Sequence, residues 1–264
     1  MIVFSAFTPH SPLLIESISK ERYHDFDDTN EAMQKLAQSL EQTKPDVIVT
    51  ISSHSQLHET VFSLNFHDSY KISLIDFGDH ATTKSFKPDL ELVALIRRKM
   101  RTEDFAFTIK SDELLEYGPG VPLLLLTKNL QANIIPISYS GLDAKMHLAF
   151  GRILKEIFSN STKRIAIIAS GDLSHCLSSD APMGFKKEGR KFDNMILEAI
   201  KNVSSSKLLQ ISPDIIRESS ECAYRPLLIF FGILERMNVR PDILSYKAPN
   251  GVGYLVAEFH HSLV

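Results

Sequence analysis

Ile165-Ala166-Ile167-Ile168-Ala169-Ser170-Gly171-Asp172-Leu173-Ser174-His175 is the stretch that decides the fold. Its apolar run is short, rich in β-branched residues and unbroken by polar positions, as expected of a strand buried on both faces of a sheet. It then breaks into small polar residues and ends on a histidine. Two other segments repeat the design: Ile2–Phe7 runs into Thr8-Pro9-His10-Ser11-Pro12, and Val47–Ile51 into Ser52-Ser53-His54. Ile72–Phe77 and Ile134–Ile137 read as further strands. Between them lie helical patterns, with apolar faces at Met33, Leu36, Ala37 and Leu40, at Leu92, Val93 and Ile96, and at Met146, Phe150, Ile153 and Ile157. Strand followed by helix, repeated, predicts an α/β fold with a mostly parallel or mixed central sheet and helices on both faces.

The tail departs from this alternation. A helix-like stretch, Glu221–Met237 with Pro226 near its start, precedes Ile243–Ala248, the turn-like Pro249-Asn250-Gly251 and Val252–Phe259, which read as a terminal hairpin. Ser204-Ser205-Ser206 reads as an exposed turn. No repeat or linker divides residues 1–264, so a single domain is expected.

Composition narrows the function classes. Lys and Arg number 29 against 32 Asp and Glu, a net charge of -3, which argues against nucleic acid as a partner. No apolar run approaches the ~20 residues of a membrane span, and the N-terminus lacks a basic region ahead of an apolar core, so a cytoplasmic protein is expected. The two cysteines, Cys176 and Cys222, belong to no CxxC pair.

Chemistry is expected where the strands end. In open α/β sheets the ligand crevice lies beyond the carboxyl ends of the parallel strands, so His10, His54 and His175 can converge although far apart in sequence. A lone loop histidine is more often a hydrogen-bonded structural residue; three in equivalent topological places point to a site. The other seven, His24, His58, His67, His80, His147, His260 and His261, lack that placement and read as surface or structural. Glu221 is a candidate carboxylate for a facial triad, or equally a first-turn partner of the helix that follows. Asp172 could orient His175 or cap its own turn, and Arg225 could meet a substrate carboxylate or pair locally.

Thr8-Pro9-His10-Ser11-Pro12-Leu13-Leu14, Ile51-Ser52-Ser53-His54, Tyr117-Gly118-Pro119-Gly120-Val121-Pro122-Leu123, Gly171-Asp172-Leu173-Ser174-His175 and Glu221-Cys222-Ala223-Tyr224-Arg225-Pro226-Leu227 occur in an order and spacing that resemble one family across nearly the whole chain. It is that of the class III extradiol ring-cleavage dioxygenases, typified by the catalytic subunit of protocatechuate 4,5-dioxygenase, with the related Memo proteins. The resemblance implies Fe(II) held by His10, His54 and Glu221, with His175 moving protons near a small catechol-type substrate and dioxygen. It also implies a homodimer. Two positions depart from the ring-cleaving pattern. Tyr117 stands where many members have a histidine, and a phenol with a pKa of about 10 donates a proton but does not serve as a base at neutral pH. Cys222 follows Glu221, and Memo-like proteins have a cysteine in this region. A thiolate implies copper or zinc rather than iron. The alternatives are therefore a Memo-like metal-binding or interaction protein, with partners of the radical-SAM and AMMECR types, or a zinc hydrolase.

Overall fold

The computed structural model describes residues 1–54 and 57–262. Its strands are β1 (Ile2–Thr8), β2 (Val47–Ser52), β3 (Phe62–Asn65), β4 (Tyr70–Leu74), β5 (Asp79–Phe86), β6 (Phe107–Lys110), β7 (Leu114–Leu115), β8 (Asn133–Ser138), β9 (Ile165–Ser170), β10 (Val239–Lys247) and β11 (Tyr254–His261). Eight form the central sheet in the order β10-β11-β1-β9-β2-β8-β3-β6, and β5-β4-β7 form a small second sheet. Around β9 the pairing is parallel, to β1 on one side and β2 on the other, and β2 is parallel to β8. β11 joins β1 antiparallel and β10 closes the expected hairpin. The sheet is therefore mixed.

Alternate residues of the unbroken runs feed two core layers. Val47, Val49, Ile51, Ile165, Ile167 and Ala169 pack with Leu92, Phe150, Phe192 and Phe230 from the helices Leu90–Thr102, Ala144–Ser159, Lys187–Lys201 and Tyr224–Leu234. Ile48, Ala166 and Ile168 face the other way, onto Met33 and Leu36 of Asp27–Thr43 and Leu123 and Leu126 of Tyr117–Leu126. Helices cover both faces, so β2 and β9 are buried at every position rather than at every second one, and nearly all of those positions are apolar.

Three expectations need refinement. The segment Ile72–Phe77 is a strand only to Leu74; Ile75–Phe77 is a 3-10 turn closed by Gly78 at φ 84°, and the strand belongs to the small sheet. β3 and β6 extend the main sheet, yet their Phe-Ser-Leu-Asn and Phe-Thr-Ile-Lys sequences are too short and too polar to have stood out. Ser204 is the N-cap of the short helix Ser205–Leu209, its hydroxyl accepting from the Lys207 N–H.

The helix Tyr224–Leu234 is buried through almost its entire length. It crosses Ala144–Ser159 where two glycines meet: a Cβ on Gly151 would lie 2.8 Å from the Gly232 Cα and closer still to the Ile229 carbonyl oxygen. Gly151→Ala should therefore overpack the crossing and destabilise the chain by about 1–3 kcal/mol, read as a lower urea midpoint with an unchanged slope.

Candidate metal centre

Parallel register puts the ends of three strands level. Thr8 of β1 pairs with Ser170 of β9, and Ser170 with Ser52 of β2. Two residues beyond that row stand His10, Asp172 and His54. The central strand thus contributes an aspartate at the level where its neighbours contribute histidines, and His175 lies three residues further on.

His10 is fully buried and held from both ends. Its backbone N–H donates to the Asp172 Oδ1 at 2.9 Å. Its Nδ1 lies 3.3 Å from the Ser170 Oγ, whose own proton goes to the Gly118 carbonyl oxygen at 2.9 Å. Ser170 can therefore only accept from His10, which fixes the proton on Nδ1 and leaves the Nε2 lone pair free. That lone pair faces the Cys222 Sγ at 3.2 Å.

His54 completes the group. Its ring meets that of His10 edge to face at 4.7 Å, and Tyr117 stacks on it at 4.4 Å with its hydroxyl 2.8 Å from Nδ1. Gly118 permits this approach, because a Cβ there would sit 3.0 Å from the His54 Cβ and collide with the Ser52 hydroxyl. Phe77 in turn packs edge-on against Tyr117 at 5.2 Å.

Cys222 is tied to the same turn. Its N–H donates to the Asp172 carbonyl at 3.1 Å, and the Asp172 N–H donates back to the sulfur at 3.2 Å. A side chain on Gly171 would strike the Ala223 Cα at 2.5 Å, so only glycine allows the two turns to touch. The donor atoms of His10, His54 and Cys222 all lie within 4.8 Å of one another. Ligands at Zn–N and Zn–S distances around one tetrahedral ion stand roughly 3.5 Å apart, so the set fits a single ion.

Charge is kept out of this cluster. Burial, then the neighbouring His54 and His175, hold His10 well below the usual imidazole range. Burial, then His175, lowers His54 to about 4, so both rings are neutral at neutral pH. Burial, with Asp172 and Glu221 nearby, pushes the Cys222 thiol well above its ordinary value. Tyr117 is raised as well, chiefly by burial, and stays a phenol. Two neutral imidazoles and a buried thiol are a donor set that could hold a cation in exchange for the thiol proton.

Other expected residues take different places. Glu221 lies outside the group: its Oε2 accepts from the Tyr224 N–H at 2.6 Å, and burial pushes its carboxyl up to about 7. The apolar helix that starts there needs an acceptor for its first amides, and Glu221 supplies it. His175 borders the cluster closely enough to depress both other histidines; burial lowers it too, against the carbonyls of Leu173 and Ser220. Asp172 orients His10 rather than His175, and burial raises its carboxyl to about 7 against the His10 and Ser11 amides. Arg225 lies over the Tyr139 ring at 5.4 Å, a local contact. His147 is structural: its Nδ1 donates to the Asp143 carbonyl at 2.8 Å and burial lowers it to about 4. Ser170 and Gly118 stand in the quoted motifs, but nothing in the sequence shows that the Ser170 hydroxyl meets the His10 ring or that the Gly118 carbonyl accepts its proton.

Comparison with known proteins identifies the family. The family described as the catalytic LigB subunit of aromatic ring-opening dioxygenase matches residues 5–257. Protein CA_C1420 of Clostridium acetobutylicum is 26% identical over 256 residues, 93% of this chain and 55% of that protein. The MEMO1 family protein Mbar_A1422 of Methanosarcina barkeri is 25% identical over 128 residues, 48% of this chain and 45% of that protein. The chain thus spans about half the length of these curated relatives. An uncharacterized protein of Escherichia coli K12, JW3007, shares the fold with a TM-score of 0.69 at 16% identity, covering 98% of this chain and 99% of that one.

The Ser170 relay can be tested through metal affinity. Ser170→Ala frees the His10 ring to rotate or switch tautomer, and should weaken binding of Co(II), followed by absorption titration, by about 10–100-fold with little loss of fold.

Proposed function

This chain belongs to the family of the catalytic LigB subunit of aromatic ring-opening dioxygenases, and from that premise we propose that it is a Memo-like redox metalloprotein with His10, His54 and Cys222 as protein ligands. The observation that carries the reading is the position of the Cys222 sulfur, 3.2 Å from the His10 Nε2, while the Glu221 carboxylate caps a helix. Two imidazoles and a thiolate suit copper first and zinc second, because a soft sulfur donor selects these ions. When bound, copper would supply one-electron chemistry in a setting shielded from water on the strand side.

The chain's own residues set the terms of that chemistry. Ser170 keeps His10 in the ligating tautomer, Tyr117 steadies the His54 ring, and the Asp172 N–H bonded to the sulfur stabilises a thiolate. His175 stands beside the ligand set as a further imidazole, suited to holding or passing a proton for a substrate. Phe77, against Tyr117 and partly exposed, gives the entrance an apolar wall.

Fe(II)-dependent cleavage of a catechol-type ring is the second reading. The family description and His175 favour it. Against it stand Tyr117, a phenol bonded to His54 where a base is wanted, and the absence of Glu221 from the ligand group. Oxygen uptake with a ring-fission chromophore from an iron-loaded, anaerobically prepared sample would establish it over the first reading.

Two variants separate the ligand sets. Cys222→Ser should abolish tight Cu or Zn binding in elemental analysis and remove any sulfur-to-metal charge-transfer band, whereas Glu221→Gln should retain the metal and lose only about 1 kcal/mol of stability from the weakened cap. Retention of metal by Cys222→Ser with loss in Glu221→Gln would reverse the assignment.

The raised Cys222 pKa adds a pH dependence. Binding must expel the thiol proton, so affinity should rise about ten-fold for each pH unit while the free thiol remains protonated. Competition titrations with a chelator across neutral pH measure that slope, and Cys222→Ser should flatten it.

A further inference from the structure

β6 is the end strand of the central sheet and pairs only with β3. The Ala106 and Lys110 carbonyls accept from the Phe62 and Phe66 amides, so even-numbered residues of β6 turn their backbone groups inward. By the alternation of a strand, the N–H and C=O groups of Phe107 and Ile109 point outward, where no strand pairs with them.

Beside this edge runs the helix Leu90–Thr102, with Arg97, Arg98 and Arg101 exposed. Two adjoining grooves of about 670 and 720 Å³ share Phe66, Arg97, Arg101 and Ile109 as lining, and so form one trough between helix and edge. Among the described residues none of the three guanidiniums makes an ion pair. The nearby acids Glu103 and Glu156 both turn to Lys99, at 2.7 and 2.9 Å, whose single charge balances one of them, so the three guanidiniums still leave the trough positive. Asp104 is the one acidic side chain lining the trough, at its far end.

We propose that the β6 edge and its arginines form a docking site for an extended, acid-rich segment of a partner protein, added as a further strand of the sheet. The outward amides would supply main-chain hydrogen bonds, Phe66 and Ile109 an apolar floor, and the guanidiniums recognition of carboxylates. A second copy of this chain fits less well. Two-fold edge pairing would bring the same unneutralised arginines of both copies toward one another. The site lies outside the metal cluster and does not depend on its chemistry.

The full chain would be titrated, by fluorescence anisotropy, with a labelled peptide alternating Glu with Val and Tyr, and with the same peptide carrying Lys for Glu. Expected is saturable, salt-sensitive binding of the acidic peptide alone, about ten-fold weaker for Arg97→Glu/Arg101→Glu. Hydrogen exchange should show new protection at the Phe107 and Ile109 amides. Ile109→Pro, which removes one outward amide from an edge strand, should also weaken binding while circular dichroism and metal content stay unchanged. No binding, binding indifferent to the arginines, or binding without protection of these amides would overturn the proposal. So would a concentration-dependent dimer that Arg97→Glu/Arg101→Glu alters, or an RNA oligonucleotide that binds with the same arginine dependence and ignores Ile109→Pro.

Discussion

Asp172 is tied to both sides of the metal cluster. Its carboxylate accepts from the His10 amide, its N–H reaches the Cys222 sulfur and its carbonyl accepts from the Cys222 amide. Two candidate ligands separated by 212 residues in the chain therefore share one anchor, placed by the end of the central strand. The level ends of β1, β9 and β2 make this possible. A slip of one residue in either pairing would carry His10 or His54 to the opposite face of the sheet.

The surrounding glycines follow from the same demand. Gly171 lets the Asp172 turn touch the Cys222–Ala223 backbone, and Gly118 lets the helix Tyr117–Leu126 approach the end of β2. That helix delivers Tyr117 to His54 and a carbonyl to Ser170, so one close backbone approach serves both histidines. At the other side, the Gly151–Gly232 crossing seats the buried helix that begins just after Cys222. Small residues govern how near the ligands come.

Much of this was legible in the sequence, and for a physical reason. Short, largely apolar runs rich in β-branched residues and bounded by turn residues read as buried strands. His10 and His54 each stand just past one, and the structure brings their rings together. The third position does not follow, because Glu221 and Cys222 are neighbours and periodicity does not say which of them faces inward; in the structure the Cys222 sulfur lies beside His10 while the Glu221 carboxylate accepts from the Tyr224 amide. For Asp172 the sequence leaves two readings open, orienting His175 or holding backbone amides at its own turn; it does hold backbone amides, but those of His10 and Ser11, because parallel pairing puts it level with His10. The strands β3 and β6 alternate apolar and polar residues as half-buried strands do, but at four residues each they are too short for that period to stand out.

Tyr117 has one more consequence, and it is optical. The chain has seven tyrosines and no tryptophan, so its ultraviolet emission is tyrosine emission. One of those seven rings is stacked 4.4 Å from His54, a member of the His10–His54–Cys222 group. A paramagnetic ion there would quench that ring by close-range energy or electron transfer while leaving distant phenols bright. The protein thus carries a built-in indicator, and loading of the site can be followed without attaching a dye.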